Sequence, residues 1–90
     1  MSTTETVTVR MSRSDPSTIW GFRLHGGKEF STPLVISKVT ERSLSERAGL
    51  KEGDQVVSIS GRSAASMFHK EAQEAIFACG DNVELVVQRY

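Results

Sequence analysis

Residues 19–27 read Ile-Trp-Gly-Phe-Arg-Leu-His-Gly-Gly, with the chain's one tryptophan set beside a glycine. Gly21 can take backbone angles closed to other residues. A turn there aims successive N–H groups at one point, and such a nest binds an anion without a basic side chain. Phe22 and Leu24 share one face of the strand that follows, and Trp20 and Ile76 wall the same cavity. An anion cradle over an apolar pocket suits a chain end: a free carboxylate behind an apolar last side chain. The motif alone equally allows Trp20 and Phe22 to be plain core and Gly21 a plain turn.

Other chemistries fare worse. Cys79 and His69 tempt as a nucleophile and its base. They sit ten residues apart on one predicted helix, about 15 Å along its axis, so they cannot meet. Cys79 reads as a small core residue. No serine stands in a G-x-S-x-G elbow. His-Gly-Gly-Lys-Glu looks like a phosphate loop, but Phe22 stands where its first glycine is needed and Glu29 where Ser or Thr is needed. Two histidines and one cysteine without paired spacing do not make a zinc site. No enzyme, metal or cofactor is expected.

The elements that must position the nest follow from periodicity. Thr6–Met11 alternates, with Val7, Val9 and Met11 on one face, and reads as a half-buried strand. Residues 12–18 are loop. The strand from Phe22 runs to Gly26, and 26–33 is a second loop. Pro33–Val39 is rich in β-branched residues and predicts a strand. Residues 43–50 predict a one-turn helix, with Ser43 and Glu46 at capping-box spacing and Gly49 past its end. Asp54–Ser60 is a strand. From Met67 to Cys79 runs the one longer helix, with Phe68, Ala72, Ala75, Ile76 and Cys79 as its apolar stripe and Ser66 as N-cap. Gly80 and Asp81 end it, and Asn82–Arg89 closes as a strand. The fold class is α+β: a partly open β-barrel or sandwich of five to six strands, with one short and one longer helix.

Ninety residues make one small domain, and 38% hydrophobic residues suffice for a single core. Eleven basic residues balance eleven acidic ones, which argues against a nucleic-acid footprint and against an anionic membrane surface. One cysteine forms no internal disulfide, so a reducing compartment is expected. No stretch has signal-peptide or membrane-span character. The closing strand pattern suggests a segment of a longer protein.

Four fragments now matter together: Trp-Gly-Phe-Arg-Leu-His-Gly-Gly-Lys-Glu-Phe, Pro-Leu-Val-Ile-Ser-Lys-Val, Ser-Glu-Arg-Ala-Gly-Leu-Lys-Glu-Gly-Asp and His-Lys-Glu-Ala-Gln-Glu-Ala-Ile, in this order. They resemble a PDZ domain, in detail the N-terminal PDZ domain of the ALP/Enigma (PDZ-LIM) group, from about Val7 to Arg89. The resemblance implies a disordered tail at 1–5 and a PDZ domain over 6–90. It implies a monomeric module that binds C-terminal peptides by strand addition.

By that resemblance the N–H groups of Trp20, Gly21 and Phe22 hold the peptide carboxylate. Trp20, Phe22, Leu24 and Ile76 line the pocket for the last side chain. His69 accepts a hydrogen bond from Ser or Thr two residues before the end, the class I preference. On local pattern alone, His69 is equally an exposed helix residue. Gln73 flanks the groove, and Arg23 and Lys38, with Lys28, tune preference for acidic neighbours. Arg13 is the candidate for a loop cation that assists the carboxylate. Phe68 departs from the family, which often has Thr there. The implied partner is the C-terminal tail of α-actinin or a similar Z-disc protein, in the cytoplasm at the actin cytoskeleton. Two alternatives remain: a regulatory PDZ domain of an enzyme, disfavoured by a start at Met1, and a phosphoinositide-binding module.

Overall fold

A computed structural model describes residues 4–15 and 17–89. The elements are β1 (Glu5–Ser12), β2 (Phe22–Gly27), a 3-10 turn at Lys28–Phe30, β3 (Thr32–Val39), α1 (Leu44–Arg47), β4 (Gln55–Ile59), β5 (Arg62–Ser63), α2 (His69–Ala78) and β6 (Asn82–Arg89). All strand pairs are antiparallel, in the order β1-β6-β4-β3-β2, with β5 on β4. Among the described residues the sheet does not close, and β2 keeps one edge without a strand partner. The expected fold class stands, with β5 and the 3-10 turn added where loop was read.

Alternation along the strands builds the core. Val9 and Met11 of β1, Leu34 and Ile36 of β3, Val56 and Ile59 of β4, and Val83, Leu85 and Val87 of β6 are all buried. Ala72, Ala75 and Ile76 of α2 complete it. Fully burying one such large aliphatic side chain stabilises by roughly 1.5–3 kcal/mol. β1 begins at Glu5, which pairs with Arg89 of β6. The structured region thus starts one residue inside the expected tail, and residues 1–3 lie outside the described residues.

The start of α2 corrects the sequence reading. The helix begins at His69, not Met67, and its N-cap is Phe68, not Ser66. Phe68 has no oxygen to offer the free N–H groups of the first turn. Two glutamates serve instead. Glu71 Oε1 accepts from the Phe68 N–H at 3.0 Å, and Glu29 Oε1 accepts from the His69 N–H at 2.9 Å. Glu29 comes from the β2–β3 turn, forty residues upstream, so no local pattern locates this boundary. Phe68 is consequently 46% exposed and leaves the apolar stripe. At the other end Cys79 is the C-cap and is half-buried against the core.

In α1 Ser43 caps as expected, its Oγ accepting from the Glu46 N–H at 3.2 Å. The reciprocal half differs: Glu46 Oε1 accepts from the Arg42 N–H at 3.0 Å, one residue before the cap.

Candidate peptide-binding site

The turn ahead of β2 is held by its carbonyls. Trp20 O accepts from the Ser45 Oγ at 2.7 Å and from the Ser45 N–H at 3.1 Å. Gly21 O accepts from the Thr40 N–H at 2.7 Å. In a trans peptide the N–H points opposite to the C=O of the same unit, and no peptide bond among the described residues is cis. With the Trp20 and Gly21 carbonyls drawn inward, the N–H groups of Gly21 and Phe22 point out of the fold. Gly21 is required here. Its φ is +90°, and a Cβ would lie 2.2 Å from the Ser43 Cβ.

The outward edge continues along β2. The Thr40-to-Gly21 bond makes Phe22 and Val39 a non-hydrogen-bonded pair. Ile36 spends its N–H on Asp54 O at 2.8 Å and its carbonyl on the Gly53 N–H at 2.7 Å. Its partner Leu24 therefore turns its own backbone groups away from β3. Phe22 and Leu24 thus expose main-chain donors and acceptors to the cleft between β2 and α2. Within it Trp20, Phe22, Leu24, Gln73 and Ile76 line an open hollow of about 230 Å³. Every residue expected in the apolar pocket meets there, and Gln73 joins its lining rather than only flanking it.

His69, first residue of α2, stands at the far end of the cleft. Its Nδ1 lies 2.9 Å from the Gly26 carbonyl oxygen. A carbonyl only accepts, so Nδ1 carries the proton and donates. The neutral ring then leaves Nε2 as an acceptor. Arg23 and Lys38 face each other across β2 and β3, both exposed.

Among the described residues no group of three His, Cys, Asp or Glu is placed to hold a metal. No helix there is long and apolar enough to cross a membrane.

The PDZ domain family profile matches residues 8–88. The chain belongs to the PDZ family. PDZ domains are non-catalytic peptide-binding modules. The PDZ and LIM domain protein Zasp of Drosophila melanogaster is 42% identical over 99% of this chain, which spans 4% of that protein. Human PDZ and LIM domain protein 7 is 49% identical over 78% of this chain, spanning 15% of that protein. Human synaptopodin 2-like protein is 45% identical over 99% of this chain, spanning 9% of that protein. The chain thus corresponds to a small part of each. Among solved structures, a Monosiga brevicollis Dlg1 second PDZ domain superposes with a TM-score of 0.83 at 26% identity, covering 96% of this chain and all of the other. A choanoflagellate SHANK1 PDZ domain bound to a GIRK3 peptide shares the fold, with a TM-score of 0.86 at 24% identity over 99% of this chain and 97% of that one.

Three residues that organise this PDZ domain escaped the sequence reading or changed role. Ser45 is fully buried and holds the Trp20 carbonyl. A serine in a short helix signals only surface or cap, so its sequence carries no mark of this task. Glu29 was read as loop and caps α2. Arg13 is spent on the fold: Nε donates to Asp81 at 3.1 Å, while NH1 and NH2 donate to Thr18 O and Gly80 O at 2.9 and 3.2 Å. Its guanidinium carbon also lies 4.7 Å from the centre of the Trp20 ring. Arg13 therefore fastens the nest loop to the end of α2. Within that loop, Asp15 accepts from the Ser17 N–H and hydroxyl, both at 2.9 Å. Those bonds, the backbone one foremost, hold the Asp15 carboxyl below its ordinary range.

Proposed function

We propose that this PDZ domain binds class I C-terminal peptides, Ser/Thr-x-hydrophobic-COOH, as an added antiparallel strand on β2. The observation that carries the reading is the pair of inward-drawn carbonyls, Trp20 and Gly21, above the Trp20–Phe22–Leu24–Ile76 hollow. The N–H groups of Trp20, Gly21 and Phe22 receive the carboxylate, and the hollow takes the last side chain. His69 Nε2 accepts the hydroxyl of Ser or Thr two residues back. Arg23 and Lys38 favour acidic residues beside it, each exposed pair contributing only about 0–1 kcal/mol.

The partner we infer is the C-terminal tail of α-actinin or a Z-disc protein with a similar end, at the actin cytoskeleton in the cytoplasm. The parent chain would be a LIM-containing scaffold. Similarity to Zasp and PDZ and LIM domain protein 7 supports this. A short peptide in an open groove orders several residues for limited burial, so the Kd falls in the roughly micromolar range.

The test is a pair of peptides ending Ser-Asp-Leu, one with a free C-terminus and one amidated, titrated by calorimetry. The free acid binds, and amidation abolishes binding. Equal affinity for the two would replace this reading with recognition of an internal segment.

A further inference from the structure

A second hollow, about 440 Å³, opens where the β2 cleft ends. Its walls include His25, Phe30, Thr32, His69 and Lys70. Phe30 is 62% exposed, so its ring is open to the hollow's occupant. The walls are preset. Gly26 and Gly27 hold φ of +92° and +138°, and a Cβ on Gly27 would lie 2.7 Å from the His69 nitrogen. The Lys28 N–H donates to Met67 O at 3.0 Å, and Glu29 caps His69. The one carboxylate lining the hollow is thus already engaged with α2.

The cleft and this hollow meet at the His69–Gly26 bridge. Gly26 O already accepts from His69 Nδ1, which leaves one lone pair of that carbonyl for a bound strand. Side chains then add to the main-chain pairing there. If the last residue lies opposite Phe22, Gly26 faces the fourth residue before it, about 13 Å along a strand. The next residues pass over the ring of Phe30.

Resting on the peptide-binding reading above, we propose that this hollow is an upstream subsite for an aromatic side chain four to six residues before the ligand's C-terminus. Continuity with the cleft selects the same peptide as occupant. The exposed ring of Phe30 offers edge or face to a second ring, and the ammonium of Lys70 suits a π-face.

A short series of peptides decides it by calorimetry. One is a four-residue acid ending Ser-Asp-Leu. The others are ten-residue versions with either Phe or Ala at the fourth, fifth and sixth positions before the end, tested one position at a time. At one position Phe tightens binding roughly five- to tenfold over Ala. Phe30→Ala erases that gain and leaves the four-residue peptide's affinity unchanged, which also reports that the variant is folded. Equal affinity of the Phe and Ala peptides at all three positions overturns the subsite while leaving the C-terminal reading intact. No binding of any of the peptides overturns both.

Discussion

At the scale of single residues, His69 shows how one contact sets a chemical role. Its hydrogen bond to Gly26 O selects the tautomer that leaves Nε2 free to accept. His69→Ala weakens a peptide ending Ser-Asp-Leu by roughly tenfold, the worth of one buried hydrogen bond of about 1–1.5 kcal/mol, and loses about 1 kcal/mol of stability with the bond to Gly26 O. A Ser peptide that titrates identically on wild type and variant would remove the class I assignment. That Trp20, Gly21 and Phe22 stand together at the head of β2 was legible from a glycine beside the one tryptophan, whereas His69 stood out only through the family resemblance. Ser45 was not, because a buried serine and an exposed one read alike in sequence.

At the scale of elements, the nest is made by α1 as much as by the turn itself. Ser45→Ala removes the 2.7 Å bond to Trp20 O while the Ser45 N–H bond remains. We expect a stability loss of about 1 kcal/mol in urea unfolding, with a several-fold loss in affinity for the free-acid peptide. Unchanged affinity would mean that the loop holds its shape without α1. The start of α2 likewise depends on a distant partner. Glu29→Ala deprives the His69 N–H of its acceptor and is expected to destabilise by about 0.5–2 kcal/mol. Hydrogen exchange at the His69 amide rises in that variant while the β6 amides keep their protection. The predicted helix from Met67 overshot because Met67 belongs to the core ahead of the helix, being 6% exposed. Ser66 just before it has the type of an N-cap, and that placed the start two residues early.

At the scale of the whole molecule, one ion pair ties the last strand to the middle of the chain. Asp54 is 1% exposed, and its Oδ2 receives Arg89 NH2 at 2.7 Å and the Lys51 N–H at 2.9 Å. Arg89 NH2 also donates to Gly49 O at 3.0 Å, whereas its Nε has no partner among the described residues. The pair ties β6 to the turns before β4. Asp54→Ala strands a largely buried guanidinium, and losing one partner of such a pair costs about 3–5 kcal/mol. Against a total of roughly 5–15 kcal/mol for a small domain, that is a large share. Guanidinium unfolding of the variant measures it. A loss under about 1 kcal/mol would show Arg89 finding water instead. Peptide affinity of the folded variant stays near wild type, because the backbone bonds that Asp54 and Gly53 make to Ile36 do not involve the substituted side chain.

Strand alternation, the two helices, the glycine nest and the family were all written in local order along the chain. Period-two and helical patterns report which side of an element turns inward, and a nest needs only neighbours. What tertiary structure alone decided was which groups are already spent. Trp20 O on Ser45, Gly26 O on His69, the His69 N–H on Glu29 and the Arg13 guanidinium on Gly80 and Asp81 are contacts between residues far apart in sequence. Hydrogen-bond donors and acceptors are used up by whatever folds against them, so the direction of the free amides, and with it the open edge of β2, is set only once the chain is closed on itself.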